Sequence, residues 1–151
     1  MDPALRSMID TFLKILRTYS AIEKKPKELG TGDLLYVSEI HTISIIGQHP
    51  EINMTKLADM SGVTKGAISQ IVKRLISKRY VARYKTRNNK EINLRLSDKG
   101  YIVFQGHEAF EKEMFFFAEK IFENATPAER DLVKRLFDVI LDNTKKILET
   151  F

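Results

Sequence analysis

The stretch NMTKLADMSGVTKGAISQIVKRL, from Asn53 to Leu75, places the tightest limit on what this 151-residue chain can fold into. Asn53 and Thr64 each stand where a side-chain oxygen can accept a hydrogen bond from the first turn of a helix. An apolar residue precedes each of them and can pack against another inside the helix. Gly62 lies between the two segments and can adopt the positive φ that ends a helix in a turn. The stretch therefore predicts two short helices joined by one tight turn.

The second of these helices has two unlike faces. The apolar residues recur at three- and four-residue spacing and are predicted to be buried: Ile68, Ile71, Val72 and Leu75. The residues predicted to face outward are Lys65, Gly66, Ser69, Gln70 and Lys73. Hydroxyl, amide and cationic groups suit the base edges and phosphates of a duplex. The small Gly66 and Ala67 leave the first turn of the helix accessible, where free N–H groups attract phosphate.

An alternating segment follows, YVARYKTRNNKEINLRLSDKG, in which the pattern from Val81 to Lys85 and from Ile92 to Leu96 is typical of two strands. Asn88 and Asn89 favour a turn between these strands. Two capped helices followed by a basic hairpin indicate a winged helix-turn-helix. In that arrangement the second helix enters a major groove, and the hairpin, or wing, reaches the flanking backbone or minor groove.

Positive charge is concentrated in this part of the chain. The 31 residues from Lys65 to Arg95 contain ten basic residues and one acid, Glu91, and carry a net charge of +9. The rest of the chain has 15 basic and 19 acidic residues, a net charge of −4. A polar helix face is ordinarily a solvated surface, but such a face mixes both signs, whereas Thr64 to Asn89 contains no acid. Together with the winged motif, this distribution favours double-stranded DNA as the partner.

Four further helices are predicted from apolar periodicity, caps and breaks. They run from about Pro3 to Lys25, from Leu34 to Gly47, from the cap Ser97 to about Asn124, and from about Pro127 to Glu149. The last helix has a strong start signal, because Thr126 and Glu129 form a capping box around a proline at the first helical position. The predicted fold class is therefore mainly α with a small β-hairpin wing.

Over nearly its whole length the chain resembles the MarR (multiple antibiotic resistance) family of transcriptional regulators. The resemblance is carried by LADMSGVTKGAISQIVKRLISKRYVARY, by the wing sequence NNKEINLRLSDKG, and by the long helix followed by TPAE and a final helix. It implies a homodimer in which winged helix-turn-helix lobes flank a helical dimerisation bundle made from the terminal helices. In many members a small phenolic or other ligand binds between lobe and bundle and releases the DNA.

The resemblance implies a single MarR-type domain over residues 1–151. Residues 33–97 would form the DNA-binding lobe, and residues 1–30 and 98–151 the helical dimerisation region. The implied function is a sequence-specific regulator, a ligand-responsive repressor on a pseudo-palindromic operator, with activation left open. For a two-fold symmetric pair of lobes, the two recognition helices would lie ~34 Å apart to meet successive major grooves.

The candidate DNA-contacting residues lie on the second helix of the motif and on the wing. They are Thr64, Lys65, Gly66, Ser69, Gln70, Lys73, Arg74, Arg83, Lys85, Arg87, Asn88 and Lys90. Two positions depart from the family pattern. Arg79 stands where the family usually has glycine, so either Arg79 adopts a positive φ or the helix ends differently. Asn88-Asn89-Lys90 stands where the wing typically reads Asp-x-Arg, which replaces a forked guanidinium with a point charge.

The residues independently permit a dimer. The first and last helices are short of partners in a monomer, and MFFFAEKIF places more aromatic surface on the fifth helix than one helix pair needs. Alternatively, these phenylalanines pack in the core of a single chain.

A small organic effector is the expected ligand, with a pocket formed by Tyr36, Ile40, His41, Phe104 and His107, although these residues can equally be core. A zinc-responsive regulator of the same fold is the alternative, because some zinc-sensing relatives use histidines in these helices. A lone pair of histidines is more often hydrogen-bonded filler, and the chain has no thiolate and no His-x-x-x-His pair. No metal or cofactor is therefore predicted, with His41, His107 and Glu111 as the only candidates.

Catalysis is not expected, because the three histidines are scattered and the sequence has no cysteine, no glycine-rich phosphate loop and no ordered Ser, His and Asp set. A winged-helix module that binds proteins instead of DNA is a further alternative, which a neutral or acidic face would favour. The absence of cysteine suits a reducing cytoplasm. No apolar run approaches the ~18 residues of a membrane span, and MDPALRSMID lacks a signal pattern. The expected location is the cytoplasm, with no membrane partner.

Overall fold

The computed structural model describes residues 1–85 and 92–150. In this part of the chain six helices and four short strands follow one another, and they confirm the mainly α class with a β-hairpin. The helices are α1 (Pro3–Glu23), α2 (Val37–Gln48), α3 (Met54–Ser61), α4 (Lys65–Ser77), α5 (Asp98–Glu123) and α6 (Pro127–Leu148). The strands are β1 (Lys27–Glu28), β2 (Leu34–Leu35), β3 (Val81–Lys85) and β4 (Ile92–Leu96), paired antiparallel as β1 with β2 and β3 with β4.

The two predicted caps start α3 and α4. The Asn53 Oδ1 atom accepts a hydrogen bond from the Lys56 N–H at 2.9 Å, and the Thr64 hydroxyl accepts one from the Ala67 N–H at 3.2 Å. Gly62 ends α3 with a φ of 64°. Because only glycine adopts this conformation without a Cβ penalty, the tight turn between the helices is set by the sequence itself.

The core lies among α2, α3, α4 and the hairpin, and the start of α5 closes it. Its fully buried side chains include Leu35, Ile40, Ile43, Ile46, Leu57, Ile68, Val72, Leu75, Tyr80, Leu94 and Val103. The Leu94 N–H donates to the Ile52 carbonyl at 2.9 Å, so the segment before α3 pairs with β4 and joins the wing to the core.

The second helix begins later than predicted. Leu34 and Leu35 form β2 and pair with β1, and α2 starts at Val37. The ribbon is closed by Glu28, whose Oε1 atom accepts hydrogen bonds from the N–H groups of Thr31 and Gly32, both at 2.7 Å. This local turn holds the chain extended up to Tyr36, so Leu35 reaches the core from a strand and not from a helix.

The first departure from the family pattern is Arg79, which stands where the family usually has glycine. It has a φ of 63°, and the next residue, Tyr80, donates its N–H to the Leu75 carbonyl at 2.8 Å. This is the hydrogen bond of a helix end that glycine usually makes. The first of the two expectations is therefore confirmed: the helix ends in the family manner, with a side chain in the left-handed region.

The chain divides into two compact units, Met1–Phe110 and Glu111–Phe151. In the second unit the capping box is present, because the Thr126 N–H donates to Glu129 at 2.7 Å and the Glu129 N–H donates to the Thr126 hydroxyl at 3.3 Å. Arg130 donates to the carbonyls of Phe122 and Glu123 and fixes the turn before α6. Neither α1 nor α6 has a single buried residue. Over residues 1–85 and 92–150, no helix combines the length and the apolar character that crossing a bilayer requires.

Candidate nucleic-acid interface

Helix α4 presents the polar face that the sequence predicts. Ile68, Ile71, Val72 and Leu75 are buried, which fixes the opposite side of the helix outward. The side chains of Lys65, Gln70 and Lys73 are exposed, and Ser69 is half-buried. No other part of the described chain covers this row of two cations and an amide. The face is therefore open along the length of the helix.

The first turn of α4 is also accessible. A Cβ built on Gly66 would have no heavy atom within 4 Å, and Ala67 is exposed. The Thr64 hydroxyl is occupied as the helix cap, so its role in the predicted set is to form the helix start. The remaining free N–H groups of the first turn carry partial positive charge at the surface, which favours an anion such as phosphate.

The other end of α4 is held by a buried acid. The Glu39 carboxylate on α2 is 1% exposed and lies 3.0 Å from the Lys78 Nζ atom and 3.7 Å from the Arg74 Nε atom. Arg74 belongs to the predicted DNA-contacting set, and its side chain lies beside this acid while remaining 54% exposed. Glu39 is absent from the sequence prediction. A signal for it exists, because an acid three residues inside a helix start, beside apolar neighbours, is the position of a capping acid.

The wing carries cations on both of its faces. Arg83 lies directly opposite Leu94 in the strand register, and Lys85 shares that face; both cations are exposed. Tyr84 and Arg95 lie on the other face, where the Arg95 guanidinium is 5.5 Å from the centre of the Tyr84 ring. Arg95 is absent from the predicted set, although the two-residue period of a strand, with Leu94 and Leu96 inward, would have placed it outward.

The predicted wing tip lies outside the described residues. This applies to Arg87, Asn88 and Lys90 of the predicted set and to the replacement of Asp-x-Arg in the family pattern.

A polar cluster joins the wing root to the segment before α2. The hydroxyl of the fully buried Tyr80 donates to the Asp33 Oδ2 atom at 2.7 Å, and the Lys99 Nζ atom donates to the same oxygen at 2.7 Å. The hydrogen bond from Lys99 lowers the pKa of Asp33, and the same bond raises the pKa of Lys99. Burial raises the pKa of Tyr80. The cluster therefore links three segments through one shared carboxylate.

The residues predicted for an effector pocket differ in exposure. Ile40 and His107 are buried, His41 and Phe104 are half-buried, and Tyr36 is 59% exposed. The rings of His41 and His107 lie 5.4 Å apart between centres. These two histidines therefore lie side by side, while Tyr36 lies at the surface.

Among the residues that the structure describes, no group of three or more His, Cys, Asp or Glu side chains is placed to hold a metal ion. The candidates His41, His107 and Glu111 do not form such a group.

Comparison with known proteins identifies the family. The model of the MarR family matches residues 35–92, from the end of β2 to the first residue of β4. The HTH-type transcriptional regulator PchR of Bacillus subtilis (strain 168) is 33% identical over 124 residues, covering 75% of this chain and 73% of PchR. The chain belongs to the MarR family. MarR-family proteins are DNA-binding transcriptional regulators and not enzymes. The family therefore confirms two predictions from the sequence, that the protein is a DNA-binding regulator and that it is not a catalyst.

Solved MarR-family structures have the same fold. FabT of Streptococcus pneumoniae, crystallised in complex with DNA, superposes with a TM-score of 0.68 at 21% identity, covering 94% of this chain and 99% of that of FabT. ZitR of Lactococcus lactis in complex with DNA superposes with a TM-score of 0.71 at 13% identity, covering 95% of this chain and 99% of that of ZitR. At these identities the likeness establishes the winged-helix fold.

Proposed function

We propose that this MarR-family protein is a homodimeric repressor that binds a pseudo-palindromic operator in double-stranded DNA. The observation that carries the proposal is the exposed row of Lys65, Gln70 and Lys73 above the buried apolar stripe of α4. A helix anchored on one side and open on the other can enter a major groove without rearranging the core. The two DNA-bound structures of the same fold support this use of the face.

The proposed contacts with DNA are of two kinds: readers, which contact base edges, and anchors, which contact phosphates. Ser69 and Gln70 read base edges, because hydroxyl and amide groups can match the donor and acceptor pattern of a base pair. Lys65, Lys73, Arg83 and Lys85 bind phosphates and fix the position of the helix in the groove. Arg74 is left out of both groups, because its guanidinium lies beside Glu39.

The dimer follows from apolar surface that one chain leaves exposed. In α1 the exposed apolar residues include Leu5, Met8, Ile15, Leu16 and Tyr19, and in α6 they include Leu132, Phe137, Leu141 and Leu148. Monomeric proteins rarely leave such surface in contact with water. Residues 1–30 and 98–151 are therefore proposed as the dimerisation region and residues 33–97 as the DNA-binding lobe. Two lobes related by a two-fold axis would require an operator with matching symmetry.

The effector is proposed to be a small organic molecule that binds beside His41 and His107, with Ile40, Phe104 and Tyr36 around it. Its binding would lower operator affinity and so relieve repression. The absence of a three-residue ligand group among the described residues supports this choice over zinc, although a zinc-responsive MarR member, ZitR, shares the fold. A rise in melting temperature with a salicylate-like compound would support the organic ligand, and a rise with zinc alone would support the metal.

The operator is obtained by selecting bound fragments from the source genome. Binding of the full chain to this duplex and to an unrelated duplex of equal length is then measured over a range of salt concentrations. Affinity should fall steeply with salt, with a slope of about −0.9 per neutralised phosphate in a plot of log K against log salt. A flat salt response would contradict DNA binding and favour a protein partner.

Matched variants separate readers from anchors. Gln70→Ala should lower the preference for the operator by ~1–3 kcal/mol, with little effect on the unrelated duplex. Lys85→Ala should weaken both complexes alike and make the salt slope shallower by about 0.9. The division into readers and anchors would be wrong if the two variants behaved in the same way. Transcription from the operator-bearing promoter, with and without the protein, decides between repression and activation.

A further inference from the structure

The end of α4 contacts Glu39, a buried acid on α2. Its Oε1 atom accepts a hydrogen bond from the Lys78 Nζ atom at 3.0 Å and lies 3.7 Å from the Arg74 Nε atom. Its Oε2 atom accepts the Tyr36 N–H at 3.1 Å, at the start of α2. The carboxylate is 1% exposed, so it has left water and is satisfied by groups from both α2 and the end of α4.

Losing this contact would cost the buried carboxylate more free energy than it would cost the two partly exposed cations. Removing the cations would leave an uncompensated charge inside the protein, whereas Lys78 and Arg74, at 37% and 54% exposure, could both return to water. Glu39 therefore holds Lys78 by a hydrogen bond and Arg74 by a longer ion pair. The apolar stripe fixes the underside of α4, and the carboxylate adds a directional contact that fixes the position of its last turn.

We propose that Glu39 is a positioning residue for sequence-specific recognition, which fixes the last turn of α4 and keeps Arg74 away from the phosphate backbone. A phosphate contact adds affinity for every duplex and carries no sequence information. Restraining one cation near the groove thus lowers binding to unrelated DNA, and fixing the helix preserves the base contacts of Ser69 and Gln70. This inference rests on the proposed function, in which the exposed face of α4 binds DNA.

Glu39→Gln is the direct test, because glutamine has nearly the same shape and its carbonyl can still accept the Tyr36 N–H. The full-length variant is titrated with the operator and with an unrelated duplex at several salt concentrations. Its preference for the operator should fall by about tenfold, which corresponds to one weakened base contact. Its salt slope on the unrelated duplex should steepen by about 0.9, because the released Arg74 neutralises one more phosphate.

Two further variants test whether the change in slope comes from the loss of charge alone or from Arg74. Glu149→Gln makes the same change of charge at an exposed site after α6 and should match the wild type in both slope and preference. Glu39→Gln combined with Arg74→Gln should return the salt slope to the wild-type value while the preference for the operator stays reduced.

Arg74→Gln alone gives a test that does not disturb the buried acid, because Glu39 keeps its contact with Lys78. The wild-type salt slope should be unchanged in this variant. A slope shallower by about 0.9, with weaker binding to both duplexes, would show that Arg74 already binds phosphate and would overturn the inference.

The remaining outcomes are also decisive. Equal weakening of both complexes by Glu39→Gln at an unchanged slope would mean a purely structural role and would overturn the inference. If the wild type bound neither duplex, the proposed function itself would fail. If the wild type bound the operator and Glu39→Gln left slope and preference unchanged, the inference alone would fail.

Discussion

At the scale of single residues, Arg79 shows that this chain keeps the family backbone with a different side chain. Its φ of 63° lies in the left-handed region, which costs a residue with a Cβ ~1–2 kcal/mol. Arg79→Gly should therefore raise the free energy of unfolding by up to ~1 kcal/mol, after the larger backbone entropy of unfolded glycine is subtracted. Urea denaturation measures the change.

Arg79→Ala serves as the control for this substitution, since it removes the charge and keeps the Cβ. It should give no gain in stability. An equal gain from alanine would assign the effect to relief of repulsion among the basic residues and not to the backbone.

The cluster of Asp33, Tyr80 and Lys99 predicts a dependence of stability on pH. Because the pKa of Asp33 is lowered in the folded protein, its contribution is present above the ordinary carboxyl pKa and is lost as pH falls through the lowered value. Because the pKa of Lys99 is raised, its contribution is present below the ordinary lysine pKa and is lost as pH rises through the raised value.

Asp33→Asn should accordingly destabilise the protein at neutral pH, and its difference from the wild type should shrink as pH falls below about 4. Urea denaturation at pH 7, 5 and 3 measures this difference. Asp59→Asn, which removes an exposed carboxylate from α3, provides the baseline. A difference for Asp33→Asn that stays constant from pH 7 to 3 would show that the ionised carboxylate does not stabilise the fold.

At the scale of elements, the contact between α5 and the root of the wing depends on Gly100. A Cβ at this position would overlap the Tyr80 carbonyl oxygen and lie 3.2 Å from the Leu96 Cβ atom. Gly100→Ala should lower the free energy of unfolding by about 2 kcal/mol, because overpacking costs ~1–3 kcal/mol and outweighs the better helix propensity of alanine. The thermal midpoint measures the loss.

Gly66→Ala makes the same chemical change in α4, where nothing lies within 4 Å of the new Cβ. It should be neutral or stabilise by up to ~1 kcal/mol. If the free energy of unfolding falls for Gly100→Ala and does not fall for Gly66→Ala, the loss arises from the packing of α5 against the wing root. An equal loss in both variants would contradict this explanation.

At the scale of the whole molecule, the exposed apolar faces of α1 and α6 predict the oligomeric state. Leu16→Glu places a carboxylate on the apolar side of α1 and should dissociate the proposed dimer, because an ion is costly to bury in an interface. Sedimentation should then give a mass near 17.4 kDa, that of one chain, and operator affinity should fall with the loss of the second half-site. Thr18→Glu adds the same charge on the polar side of α1 and should remain a dimer. A wild type that sediments as one chain would contradict the proposal.

The local signals in the sequence predicted most of the elements correctly. Asn53, Thr64 and Thr126 cap helices as expected, and Gly62 turns the chain, because each acts within a few residues of its own position. The start of α2 was predicted too early, since Leu34 and Leu35 fit an apolar helix pattern equally well. These two residues form a strand by pairing with Lys27 and Glu28 across a short turn, and periodicity does not reveal that pairing.

By itself the sequence determined the winged-helix class, the caps, the buried stripe of α4 and the basic character of its exposed face. These follow from the spacing and charge of neighbouring residues. Only the tertiary structure decided that Arg74 lies beside Glu39, that Tyr80 and Lys99 share the Asp33 carboxylate, and that His41 and His107 meet. Each of these contacts joins residues that are far apart in the chain, and such partners are chosen by the packing of the core, which no local pattern encodes.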